Sequence, residues 1–107
     1  MLGAMFGNES AVIASVLQTF VTGTSGNLAA LAQALAAQDL VTVASLAHAI
    51  TGACRMSGAL ALGHTARNIE LAAKQGDMAA VQLNIPDLNT QWPLTQAAVD
   101  AMAAHPK

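Results

Sequence analysis

This sequence predicts an all-α protein: an up-and-down antiparallel four-helix bundle with a short extra N-terminal segment. Three observations carry that prediction. Of the 107 residues, 54% are hydrophobic but only 3% are aromatic, so the core must come from Ala, Leu, Val, Ile and Met, a palette suited to close-packed helices. Apolar residues recur at i, i+3, i+4 and i+7 in one segment after another. No apolar–polar alternation runs long enough for a strand, and no repeat or linker divides the chain, so residues 1–107 read as one domain.

Asn8 or Ser10 is placed to cap a first long helix, with Glu9 near its positive end. Val12, Ile13, Val16, Leu17 and Phe20 give that helix an apolar face. Gly23 and Gly26 leave two paths, a loop or a single helix from about residue 9 to 37. The resumed spacing of Leu28, Leu31 and Leu35 favours the single helix. Asp39 caps a second helix running to about Ser57, with an apolar stripe at Leu40, Val43, Ala47, Ile50 and Cys54. Gly58-Ala59 marks a tight connection. A third helix, from about Leu60 to Gln75, buries Leu62, Ala66, Ile69 and Ala73. It turns His64, Arg67, Glu70 and Lys74 outward, with Glu70 and Lys74 in the favourable i, i+4 order.

Gly76 suits a C′ position and Asp77 an N-cap, so the chain stops and restarts there. Met78 to Asn84 is helical in pattern, but Pro86 and Pro93 each remove a backbone donor. The sequence therefore predicts a break or kink within 85–93 and a final helix from Pro93 to about Ala104. Trp92, the only tryptophan, reads as a packing anchor at the end of the bundle.

Composition excludes several functions. The net charge is −2 and only four residues are Lys or Arg, which gives no basic stripe for nucleic acid. A single cysteine, Cys54, forms no internal disulfide, and its place on the apolar stripe makes it a core residue. Residues 10–38 carry no formal charge. Even so, Gln18, Thr19, Thr22, Thr24, Ser25, Asn27 and Gln33 make that stretch too polar for a membrane span. The start, Met1-Leu2-Gly3-Ala4-Met5, lacks the basic region of a signal peptide, so no membrane insertion is expected.

His48 is the leading candidate for chemistry. With the apolar stripe turned inward, Ser45, His48, Gly52 and Arg55 share the opposite, solvent-facing side of the second helix. A mid-helix glycine costs roughly 1 kcal/mol relative to alanine. At Gly52, beside the histidine, that cost has two readings. Either another molecule approaches there, or a neighbouring helix of the same chain packs closely.

Taken together, these residues resemble the histidine-containing phosphotransfer (HPt) domain of bacterial phosphorelays. The likeness rests on Asp39 nine positions before the histidine, on Ala47, His48, Ile50 and Gly52, and on Gly58-Ala59 ten positions after it. Leu62, Ile69-Glu70 and Gly76-Asp77 complete it. It covers about residues 9–80, with its specific part at 39–77. The sequence departs from the family at Thr51, where a lysine is usual, and Arg55 is the nearest alternative cation on the histidine's face.

The resemblance implies a phosphoryl carrier. His48 would accept the group at Nε2 from an aspartyl-phosphate on a response-regulator receiver domain and pass it to an aspartate on a second receiver. Thr51, Gly52 and Arg55 would support the site, and Ser45, Ala49, His64 and Arg67 would dock the receiver. An imidazole of unperturbed pKa about 6.5 is mostly neutral near pH 7, so a lone pair is available for attack. The chain has no carboxylate cluster for Mg²⁺, so the receiver would bring the metal and this domain would hold no cofactor.

Nor is there a Walker-type loop, a nucleotide lid or room for an ATP-binding domain, so it is not expected to be an enzyme on its own. Family resemblance points to the cytoplasmic C-terminal module of an unorthodox hybrid sensor kinase, with a free-standing phosphotransfer protein as the alternative. The rival reading is an inert helical interaction module, and solvent access at His48 discriminates the two. A metal site from His48, Cys54 and His64 is disfavoured because His48 and Cys54 lie about 240° apart around one helix. A hydrolase built on Cys54 or Ser57 lacks a base at a recognisable spacing, and His105 belongs to a frayed terminus.

Overall fold

The described residues form four helices in sequence: α1 (Leu2–Ala36), α2 (Leu40–Ser57), α3 (Leu60–Lys74) and α4 (Met78–Ala104). The computed structural model describes residues 2–57 and 59–104, and the side chains of 12–55 and 59–101. Each helix packs against its sequence neighbours and α4 closes back onto α1, an up-and-down four-helix bundle joined by short connections. Among the described residues no helix is long and apolar enough to cross a membrane.

α1 is a single helix through Gly23 and Gly26. Its core side repeats in sevens, with Leu17, Val21, Thr24, Leu28, Leu31 and Leu35 spaced alternately by four and three residues. That seam keeps one face on the bundle past both glycines, where an added Cβ would meet nothing within 4 Å. The helix begins at Leu2, so Asn8 and Ser10 lie inside it and do not cap it; the N-terminal segment is a continuation of α1. Nor do Val12, Ile13 and Val16 form core. All three are exposed, and the core starts at Leu17. Length explains this: 35 residues of helix span about 52 Å, whereas the 18 residues of α2 span about 27 Å. The bundle ends before α1 does, and the molecule is 54 Å long.

Two connections reuse one device. After α3, Gly76 takes φ +71°, its N–H donates to Ala73 O, and the Asp77 N–H donates to Ala72 O at 3.0 Å. Those two bonds are a Schellman motif, and the Asp77 carboxylate then accepts from the Ala80 N–H at 3.0 Å to start α4. After α1, Gln38 takes φ 57°, Asp39 N–H donates to Ala34 O, and Asp39 caps α2 through the Thr42 N–H and hydroxyl. The Thr42 contacts hold the Asp39 carboxyl below its ordinary range. At the third connection Ala59 N–H donates to Cys54 O, while Gly58 lies outside the described residues.

α4 corrects the expected break at 85–93: it is continuous through Pro86 and Pro93. Val81, Ile85, Leu88, Trp92 and Val99 hold one seam in heptad register across both prolines, which themselves face solvent. Burying that seam outweighs the two lost ladder bonds. Trp92 meets Phe20 edge-on at 6.1 Å, tying α4 to α1, and the Thr65 hydroxyl reaches Gln91 Oε1 at 2.7 Å, tying α3 to α4.

α2 and α3 pack tightly at Gly63. A Cβ there would stand 3.0 Å from the Cys54 Cβ, and Cys54 is itself buried, with its thiol pushed up to about 11 by desolvation. At Gly52 an added Cβ meets nothing within 4 Å, so close packing inside the chain does not account for that glycine.

Two consequences are measurable by denaturant titration. Gly52→Ala gains helix propensity without a clash and stabilises by up to about 1 kcal/mol, whereas Gly63→Ala forces α2 from α3 and destabilises by about 1–3 kcal/mol. Gln38→Gly relieves a left-handed non-glycine residue and raises stability by about 1 kcal/mol.

Candidate phosphotransfer site

The register that seats Gly63 on Cys54 also brings Glu70 of α3 opposite His48 of α2. His48 stands on the outer side of α2 because Val43, Ala47, Ile50 and Cys54 are all buried on the other. Its side chain is 76% exposed, while that of Glu70 is only 6% exposed. Sequence reasoning put Glu70 on the outer face of α3, and the structure corrects this. Ile69 and Ala73 are drawn fully into the core, which rotates Glu70 into the α2–α3 seam.

A buried carboxylate must find donors. Glu70 Oε2 has two, His48 Nδ1 at 2.9 Å and Lys74 Nζ at 2.9 Å. The Lys74 ammonium holds the Glu70 carboxyl below the usual glutamate range against the opposing cost of burial, helped by the His48 ring. Glu70 is therefore ionised at neutral pH and can only accept. Nδ1 carries the proton of the neutral imidazole, and Nε2, on the opposite edge of the ring, keeps its lone pair. The arrangement presents a fixed nucleophilic nitrogen on an exposed ring.

The other candidates fall into two recesses. Ser45 lines the one at His48, together with Leu40, Val41, Ala44, Glu70, Ala73 and Lys74. Thr51, Arg55, His64 and Arg67 line the neighbouring one, over Cys54 and Gly63. Ala49 and Gly52 are exposed on α2 and line neither recess. Thr51 is buried and its hydroxyl donates to Ala47 O at 2.9 Å, so the side chain expected to support the site has its donor committed within the helix. Arg55 does not share the His48 recess.

Sequence reasoning paired Lys74 with Glu70 but did not place it, or Val41, at the site. Val41 is 83% exposed, an unusual state for a valine. It stands seven residues before His48, and that heptad step would have placed it on the histidine's face. Among the described residues no three His, Cys, Asp or Glu side chains come together as a metal site. His105 and the Ser57 side chain lie outside the described residues.

The bundle thus carries an exposed imidazole whose inner nitrogen is held by a buried carboxylate. The model of the Hpt domain family matches residues 15–105, and the chain belongs to that family. Its members are phosphocarriers that exchange phosphoryl groups with receiver domains in phosphorelays and have no catalytic activity of their own. Searches of the curated proteins and of the solved structures found no match.

The Glu70 geometry predicts an acid limb in stability. A carboxyl whose folded pKa is lowered stabilises the fold above its unfolded value, about 4.3, and loses that contribution as pH falls through the folded value. Wild type should exceed Glu70→Gln in unfolding free energy at pH 7, and the difference should be smaller at a pH well below the unfolded value of about 4.3. Denaturant titrations at the two pH values would show it; an equal difference at both would refute it.

Proposed function

We propose that His48 accepts a phosphoryl group at Nε2 from the aspartyl-phosphate of one response-regulator receiver domain and delivers it to the aspartate of another. The observation that carries this reading is the exposed imidazole whose inner nitrogen is bonded to a buried, ionised Glu70. In the first step the Nε2 lone pair bonds to phosphorus, the bond from phosphorus to the aspartyl oxygen breaks, and its electron pair stays on the aspartate. No proton leaves: Nδ1 keeps its hydrogen, the ring becomes cationic, and Glu70 balances that charge. The reverse step returns the ring to neutrality on the second receiver. Phosphoryl transfer is mostly positioning and charge neutralisation, and the receiver supplies the Mg²⁺.

The receiver docks on the side of α2 that carries His48. Val41, Ser45, Ala49 and Gly52 give a small, partly apolar surface there, and the absent Cβ at Gly52 lets the partner close down beside the imidazole. Arg55 and Arg67, with His64 beside them, line the neighbouring recess, and the two arginines give a cationic flank suited to the acidic active-site face of a receiver. On this reading the domain works in the bacterial cytoplasm as the C-terminal module of an unorthodox hybrid sensor kinase. An inert interaction bundle would have no use for a buried carboxylate that fixes the tautomer of a surface histidine.

Incubation with a phosphorylated receiver tests the proposal. Wild type should acquire acid-labile, base-stable label and His48→Gln none. Equal label on both would move the chemistry from His48.

A further inference from the structure

Glu70 creates a problem as well as solving one. Its carboxylate orients His48, but it also sets a negative charge beside a nitrogen that must receive a group carrying about two negative charges. A positive charge within reach of both is needed, and the described residues offer few candidates. Thr51, one turn along α2, is neutral and its hydroxyl is committed to Ala47 O. Arg55 and Arg67 line the neighbouring recess and not the one at His48.

Lys74 is different. Its Nζ lies 2.9 Å from the same Glu70 oxygen that His48 Nδ1 contacts at 2.9 Å, so the ammonium stands no more than about 5.8 Å from the ring nitrogen. It lines the His48 recess. The side chain is 61% exposed, and an ammonium has three donors, of which Glu70 uses one. The charge is thus anchored at its base and open towards solvent.

We propose that Lys74 is the charge-balancing residue of the transfer, cancelling the Glu70 carboxylate in the resting site and donating to the phosphoryl oxygens as they arrive at His48 Nε2. The inference rests on His48 being the acceptor and adds a residue to that site. Lys74 also neutralises the product side: once the ring is cationic and paired with Glu70, the ammonium is released to the phosphoryl group. Charge at the site therefore comes from α3, and the cations of the other recess serve docking.

The test uses the full chain and two donors. One is a phosphorylated receiver. The other is phosphoramidate, which transfers its phosphoryl group to imidazole nitrogen with loss of ammonia and has no docking surface. With either donor, Lys74→Met should label His48 about tenfold more slowly than wild type, and Lys74→Arg should recover most of the rate. With phosphoramidate, where no docking cations take part, raising the salt concentration should slow wild type and leave Lys74→Met nearly unchanged. Matching thermal melts for wild type and Lys74→Met would set aside a folding defect.

Wild-type rates in Lys74→Met, with His48→Gln blank, would overturn the role of Lys74 and leave His48 as the acceptor. Slowing with the receiver but not with phosphoramidate would make Lys74 a docking residue and equally overturn the proposal. Label on His48→Gln, or none on wild type from either donor, would remove the acceptor itself and this inference with it.

Discussion

A carboxylate deprived of water has to be met by donors, and in this protein that requirement falls on Glu70. Its two partners come from different places. Lys74 is one turn further along the same helix, and His48 is on the helix opposite. The first contact exists whenever α3 is a helix. The second exists only when α2 and α3 are in register. Orientation of the exposed imidazole is therefore a property of the helix pair and is absent from α2 alone.

That register is fixed away from the histidine. Gly63 allows the two backbones to approach over Cys54, and Ile50, Leu62, Ala66 and Ile69 fill the seam with hardly any exposed surface. At the other end of α3, the Schellman turn at Gly76 stops the helix one turn beyond Glu70, leaving Lys74 in the last turn. A cation there is favoured by the helix dipole as well as by Glu70. Backbone termination, dipole and ion pair thus converge on one side chain, and α1 and α4 hold the pair from behind.

Much of this was legible in the sequence. The apolar stripes of α2 and α3, the Asp39 and Asp77 caps and the exposure of His48 follow from helical spacing and capping chemistry. What escaped did so for physical reasons. Glu70 shares a nominal outer face with Arg67 and Lys74, and a wheel drawn for one helix cannot show that a second helix covers that edge. Gly63 sits in a run without turn signals, and only the Cβ of Cys54 on the other helix gives it meaning. The two prolines were read as breakers because local propensity opposes them, and a seam of five residues on α4 overrides that propensity. Exposure of Val12, Ile13 and Val16 depends on where the partner helices end, which no local pattern encodes.

The prolines of α4 have one more consequence. Each withdraws a donor from the helical ladder, so α4 owes its continuity to α1 and α3 more than the other helices owe theirs to neighbours. Within the packed bundle, α4 around residues 86–93 should open at a lower free energy than the α2–α3 seam. The imidazole, its carboxylate and their cation sit on the part of the molecule that yields last. A carrier that is repeatedly gripped and released by larger partners can thus flex along one side while its reactive geometry stays intact on the other.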